Sequence, residues 1–141
     1  MKILSTDVFL FKIPMTPFTI ATGTMHYAQN IVIKIHTDEG IIGWGECSAF
    51  PMIVGETQLS CYNIAKDFAT YLKGKDPLAI SDRLNELDTI IAGNYTAKSA
   101  FDLALYDIAA KAASKPLYAF LGGNSKPIET DLTIGIDTPE S

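Results

Sequence analysis

Ala97, Ala100, Phe101, Ala104, Leu105, Ile108, Ala109 and Ala112 recur at three- and four-residue steps without a miss. That spacing puts them on one face of a helix. Most of them are alanines, so the face has little bulk and must lie close against another backbone. Asp107 and Lys111, four residues apart, are expected to pair on the helix's far side. Any fold for this chain has to offer a flat surface to this helix.

The preceding sequence reads as strands first and helices afterwards. Val8–Ile13 is an apolar, β-branched and aromatic run that Pro14 closes. Met15–Asn30 is polar and contains glycine, and is expected to be a first loop. Ile31, Ile33 and Ile35 then alternate with Val32, Lys34 and His36 at period two. The turn Thr37-Asp38-Glu39-Gly40 leads into Ile41–Cys47 as partner strand. Ser48–Glu56, with Pro51 and Gly55, is expected to be a second loop. Thr57–Leu72 carries Cys61, Ile64, Ala65, Phe68 and Leu72 on one helical face. Asp76 and Pro77 suit the N-cap and first residue of the next helix, whose stripe is Ile80, Leu84, Leu87 and Ile91. Pro116–Leu121 is a short closing turn before Gly122-Gly123. Strands followed by helices mean an α+β domain, expected over residues 1–123, with 124–127 as a linker.

Beyond the linker, Ile128–Ile136 reads as a strand, with Thr130, Leu132, Ile134 and Ile136 on one face and Glu129, Asp131, Thr133 and Gly135 on the other. Thr138, Pro139 and Glu140 suit the first turn of a helix. A strand followed at once by a helix start opens a β/α unit, which cannot bury its own faces. The expectation is therefore that residues 128–141 are the first strand and helix start of a separate (β/α) barrel. Its inward polar residue near the strand's C-terminal end, Thr133, would aim at a substrate.

Hydrophobic residues make up 48% of the 141, enough for one real core. The net charge of −5 and the absence of a basic stripe argue against nucleic acid and anionic membranes as partners. No apolar run is long enough for a membrane span, and a cytoplasmic protein with two buried thiols, Cys47 and Cys61, is expected. His26 and His36 are the only histidines, so neither a catalytic triad nor a two-histidine metal site can be assembled from them. Glu46 is read as a strand-end hydrogen-bonding group, and Asp102 and Asp107 as structurally paired acids. Met15, Met25, Met52, Phe18, Tyr27 and Phe50 gather in the two loops. They are either minor core or the cover of a ligand site.

Residues Ala97–Gly123 (AKSAFDLALYDIAAKAASKPLYAFLGG) resemble the signature that ends the capping domain of the enolase superfamily, muconate-lactonizing branch. Gly43-Trp44-Gly45-Glu46 is similar to the G-x-G-E end of its hairpin. Pro17–Thr24, Gly55–Thr57 and Glu129–Ile136 resemble dipeptide epimerases within that branch. The resemblance implies an enolase-type α+β capping domain over a (β/α) barrel. It also implies magnesium-dependent epimerisation at a dipeptide α-carbon through an enediolate. In the family the proton-moving lysines and the metal-ligating carboxylates lie on later barrel strands. No catalytic or metal-ligating residue is therefore expected in this sequence, and Lys98, Lys111, Lys115 and Lys126 precede the barrel. The implied substrate contacts are Phe18, Thr22, Gly23 and His26 of the first loop, Phe50, Met52 and Ile53 of the second, and Thr133. Gly23 stands where alanine–glutamate epimerases can carry a basic residue, with Lys12 and His26 the nearest positive candidates. The resemblance thus favours a dipeptide with an apolar or small side chain. Expected partners are that dipeptide, the rest of the barrel in the same or a companion chain, and further copies in a homo-oligomer. The alternatives are another enzyme of the branch, such as a muconate cycloisomerase or an o-succinylbenzoate synthase, and a non-catalytic binding module.

Overall fold

The computed structural model describes residues 1–133 and 136. Strands β1 (Ile3–Ile20), β2 (Gly23–Thr37) and β3 (Ile42–Ser48) form an antiparallel sheet in the order β1-β2-β3. Among the described residues five helices follow: α1 (Pro51–Val54), α2 (Gln58–Leu72), α3 (Ile80–Ile90), α4 (Tyr95–Ala112) and α5 (Leu117–Phe120). Strands then helices make the α+β architecture that the sequence order implies.

The expected first loop is instead the outer half of a long hairpin. β1 runs on through Pro14 and Pro17, and β2 begins at Gly23 rather than Ile31. Pro14 pairs with Tyr27 and Phe18 with Met25, so Met15, Thr16 and Pro17 stand opposite His26 alone. Proline has no N–H to give the ladder, and the strand accommodates this as a bulge instead of ending. Beyond it, Thr19 and Thr24 share a side-chain hydrogen bond of 2.9 Å across the strands. Gly23 takes φ +135°, which closes the two-residue turn at Ala21-Thr22.

The period-two pattern decides which face of the sheet is buried. Ile31, Ile33 and Ile35 are fully buried, while Val32, Lys34 and His36 lie on the outer face. His36 is not simply solvated there, because its Nε2 lies 2.8 Å from Asp7 Oδ2 on β1. The buried face packs against α2 and α4. Cys61, Ala65, Phe68 and Leu72 of α2 meet Ala97, Ala100, Phe101, Ala104, Leu105 and Ile108 of α4, with Leu87 of α3 closing the side. Phe68 and Phe101 meet edge to face, centroids 5.5 Å apart.

The surface that α4 requires is β3. A Cβ placed on Gly45 would overlap the backbone carbonyl oxygen of Ala100, and one on Gly43 would overlap that of Ala104. The glycines of Gly-Trp-Gly-Glu and the alanines of α4 are thus two halves of one close approach. Ala112 falls outside it and is exposed; Ala110 is buried instead. Asp107 and Lys111 do pair, at 2.6 Å, but they face the strand rather than solvent alone. Asp107 Oδ2 accepts from Trp44 N (2.9 Å), and Lys111 Nζ donates to Ile42 O (2.7 Å). Together they satisfy groups on the outer edge of β3 that would otherwise invite another strand.

Helix boundaries depart from expectation in two places. The expected second loop, Ser48–Glu56, contains the short helix α1, with Pro51 in its first turn and Gly55 closing it at φ +72°. Asp76 does not cap α3; its Oδ1 accepts from Leu78 N (2.9 Å) in a local turn, and α3 starts at Ile80. An Asx turn competes with a cap for the same side chain, and here it wins. Thr57 caps α2 as its position suggests, in a reciprocal box with Ser60. The expected strand at 128–136 is not formed over 128–133, which is exposed and pairs with no strand. A strand exists only through a neighbour's hydrogen bonds, and among the described residues none stands beside it. Ile136 N does donate to Thr19 O at the hairpin tip (2.9 Å). The expected helix start at Thr138-Pro139-Glu140 lies outside the described residues.

Candidate functional site

The outer half of the β1–β2 hairpin leans toward the connection from β3 to α2 and leaves a cleft of about 530 Å³. One wall carries Met15 and the run Thr24, Met25, His26, Tyr27, Ala28 and Gln29; the other carries Ser48, Ala49, Phe50, Pro51 and Met52. The two segments singled out as loops are therefore the two sides of one concave site. No Asp, Glu, Lys or Arg is among the described residues that line it. Thioethers and rings dominate. Such a lining favours an apolar group and penalises a buried charge.

Of the expected contact residues, His26, Phe50 and Met52 line the cleft. Gly23 borders it, since a Cβ there would lie 3.9 Å from both Sδ and Cε of Met52. Phe18 lies in the ladder opposite Met25, and Thr22 is exposed at the hairpin turn. Ile53 points outward and is two-thirds exposed. Thr133 is exposed in the extended segment and does not reach the cleft. Thr24, Ala28, Gln29, Ser48, Ala49 and Pro51 complete the lining without having been anticipated. Only the hairpin register could have named Thr24, Ala28 and Gln29, and that register was masked by the prolines.

Next to the cleft, buried and half-buried polar contacts tie its elements together. Asn30 Nδ2 donates to Glu46 Oε1 (2.5 Å), so Glu46 does serve as a strand-end hydrogen-bonding group. Gln58, at the start of α2, donates to Phe11 O (2.7 Å) and Asn30 O (2.8 Å), which ties the helix to both hairpin strands. Glu56 is buried and accepts from Thr96 N (3.3 Å) and Ala97 N (3.4 Å) in the first turn of α4. The Cys61 thiol donates to the same carboxylate (3.5 Å). Cys47 and Cys61 are free and buried. Burial, then the Cys61 thiol, pushes the Cys47 thiol well up; burial is also the main cause of the rise at Cys61. Both sulfurs are thus protonated packing groups at neutral pH. Lys98 is spent on structure, with Nζ donating to Asp88 Oδ1 (2.7 Å) and Ile91 O (2.8 Å).

Asp102 departs from the expected pairing. Its Oδ1 is buried without a hydrogen-bond partner, and burial pushes its carboxyl above the usual range. A raised native pKa means the native state holds the proton longer than the unfolded chain does. Stability therefore falls as pH rises from the ordinary aspartate value through the raised one. Asp102→Asn is expected to flatten that decline and to raise stability at pH 7. Urea midpoints between pH 3 and 7 test this, and an unchanged pH slope would contradict it.

An antiparallel three-stranded sheet backed by a helical layer, with its cleft at the free end of the hairpin, defines an enolase-type N-terminal capping domain. Residues 5–122 match the family model described as "Mandelate racemase / muconate lactonizing enzyme, N-terminal domain", and the chain belongs to this family. It is 45% identical over 138 residues to the D-Ala-D/L-Ala epimerase of Cytophaga hutchinsonii, covering 95% of this chain and 38% of that protein. It is 37% identical over 140 residues to the hydrophobic dipeptide epimerase of Enterococcus faecalis, covering 99% and 40%. The solved dipeptide epimerase from Cytophaga hutchinsonii, complexed with Mg and the dipeptide D-Ala-L-Val, superposes with a TM-score of 0.96 at 41% identity, covering 99% of this chain and 39% of that one. The chain thus spans about two fifths of the length of the curated relatives it matches. Among the described residues no three His, Cys, Asp or Glu side chains group so as to hold a metal ion, and no helix is long and apolar enough to cross a membrane.

Proposed function

We propose that this chain is the substrate-sensing cap of a magnesium-dependent dipeptide epimerase that takes dipeptides with apolar or small side chains. The cleft carries this reading: two opposed walls of Met15, Met25, Phe50 and Met52 with no charged side chain among their described residues. A dipeptide side chain resting there would exclude water from both walls and be oriented by them. An acidic side chain would lose its hydration with nothing to replace it. The D-Ala-L-Val complex of the Cytophaga hutchinsonii relative and the hydrophobic dipeptide epimerase of Enterococcus faecalis support the same substrate class.

On this proposal the magnesium ligands and the groups that move the α-proton belong to a barrel portion, in the same or a companion chain. In this reading the work of the cap is selection and closure. Thr133 and the hairpin tip would then face that barrel; the Ile136 N to Thr19 O hydrogen bond already brings the segment after Thr133 to the tip. The protein would act in the cytoplasm as a homo-oligomer.

Kinetics with a dipeptide library on the gene product that carries these residues test the reading. Apolar second residues are expected to exceed acidic ones at least about tenfold in kcat/KM, the discrimination typical of an apolar pocket. A preference for acidic second residues, or no epimerisation of any dipeptide, overturns it.

A further inference from the structure

Helix α1 gives Pro51 and Met52 to one wall of the cleft, yet it buries none of its own residues. Its side chains are all exposed, so its position depends mainly on its ends. At the β3 end the chain is anchored by Cys47 and Ala49, both buried. At the other end the first buried residue is Glu56. Between these anchors lie Phe50, Pro51 and Met52, three of the wall's lining residues.

Glu56 is an unusual choice for such a place, because a buried carboxylate needs partners. It finds them in α4. Asn94, the N-cap of α4, makes no side-chain cap, and no acidic residue occupies the first turn. Glu56 supplies both deficits from a distant segment: Oε1 accepts from Thr96 N and Oε2 from Ala97 N. A negative charge at that end also complements the helix dipole. The arrangement joins the chain just after α1 to the helix pressed directly onto β3.

We infer that Glu56 is a positioning residue for substrate selection: it pins the α1 wall to the start of α4 and so sets the width of the cleft between Met52 and the hairpin. This inference rests on the proposed dipeptide function for its kinetic consequence, though not for its structural one. The carboxylate touches no substrate. With the pin removed, α1 would keep its short helical turn but sample a wider range of positions, and the apolar side chain would lose contact with one wall. Binding in the ground and transition states would weaken alike, which raises KM and leaves kcat nearly unchanged.

The test compares Glu56→Gln and Glu56→Ala with Lys98→Met in the gene product that carries these residues. Lys98→Met loosens the helical layer at the α3–α4 contact and touches neither α1 nor the cleft. Amide hydrogen exchange at Ile53, Val54 and Gly55 is read first, since it needs no substrate. Exchange there is expected to quicken at least about tenfold in Glu56→Ala, less in Glu56→Gln, which keeps one acceptor oxygen, and not in Lys98→Met. In the kinetics with an apolar dipeptide, KM is expected to rise about tenfold for Glu56→Ala with kcat within twofold, while Lys98→Met leaves KM unchanged. Unaltered α1 exchange in Glu56→Ala overturns the inference, and so does an equal rise of KM in Lys98→Met. If the parent protein turns over no dipeptide, the proposed function falls and the exchange result alone decides the role of Glu56.

Discussion

Gly45→Ala is expected to cost more stability than any other single-methyl addition in the sheet. The added Cβ would lie 1.8 Å from the backbone carbonyl oxygen of Ala100, and backbone cannot swing aside as a flexible side chain can. Either α4 lifts from β3 or β3 bends away. Both open the contact between the sheet and Ala100, Ala104 and Ile108, all fully buried. Overpacking ordinarily costs about 1–3 kcal/mol. This site should reach the top of that range or pass it, because the strain falls on two backbones at once. Gly40→Ala is the comparison. Gly40 has φ +78° but nothing within 4 Å of the added carbon, so only backbone strain of about 1–2 kcal/mol applies. Urea unfolding of both variants in the gene product that carries these residues gives the ranking. A Gly45→Ala midpoint at or above that of Gly40→Ala would mean that α4 does not press on β3 as described.

The same contact explains which parts of the fold were legible in the sequence. An alanine stripe at helical spacing and a Gly-x-Gly strand are complementary statements about one interface, and each is visible alone. The buried face of β2 was equally plain, since three isoleucines at period two leave little choice of side. The hairpin's outer half was hidden because Pro14 and Pro17 signal strand ends locally. The structure overrides that signal with a bulge opposite His26 that takes in Pro17, while Pro14 holds the last ladder position before it, opposite Tyr27. Missing that register also obscured part of the cleft. Met15, Met25 and Met52 stood out as apolar residues in apparent loops, but Thr24, Ala28 and Gln29 become lining residues only when the strand pairing is known. Glu56 was unreadable for a different reason. Its partners are backbone N–H groups forty residues on, and backbone groups leave no residue-type signal.

Phe101→Ala is the second change expected to have a large effect. Phe101 is fully buried at the middle of α4 and meets the ring of Phe68 on α2 at an interplanar angle of 84°. Truncation removes the ring's burial and leaves a cavity between two helices that the sheet holds in place, which limits collapse. A loss of about 3–5 kcal/mol follows, a large share of the roughly 5–15 kcal/mol that sustains a domain of this kind. Phe101→Leu should recover most of it, because leucine refills much of the volume and forfeits mainly the edge-to-face contact, worth about 0.5–1.5 kcal/mol. A double-mutant cycle with Phe68→Leu and Phe101→Leu isolates that contact. The effect should also reach the cleft, since α2 begins at Gln58, whose amide ties the helix to Phe11 and Asn30 of the hairpin. Phe101→Ala should therefore quicken amide exchange along the hairpin's outer half as well as in the helices. Loss confined to α2 and α4 would show that the hairpin wall stands independently of the helical layer, and that the site is built on the sheet alone.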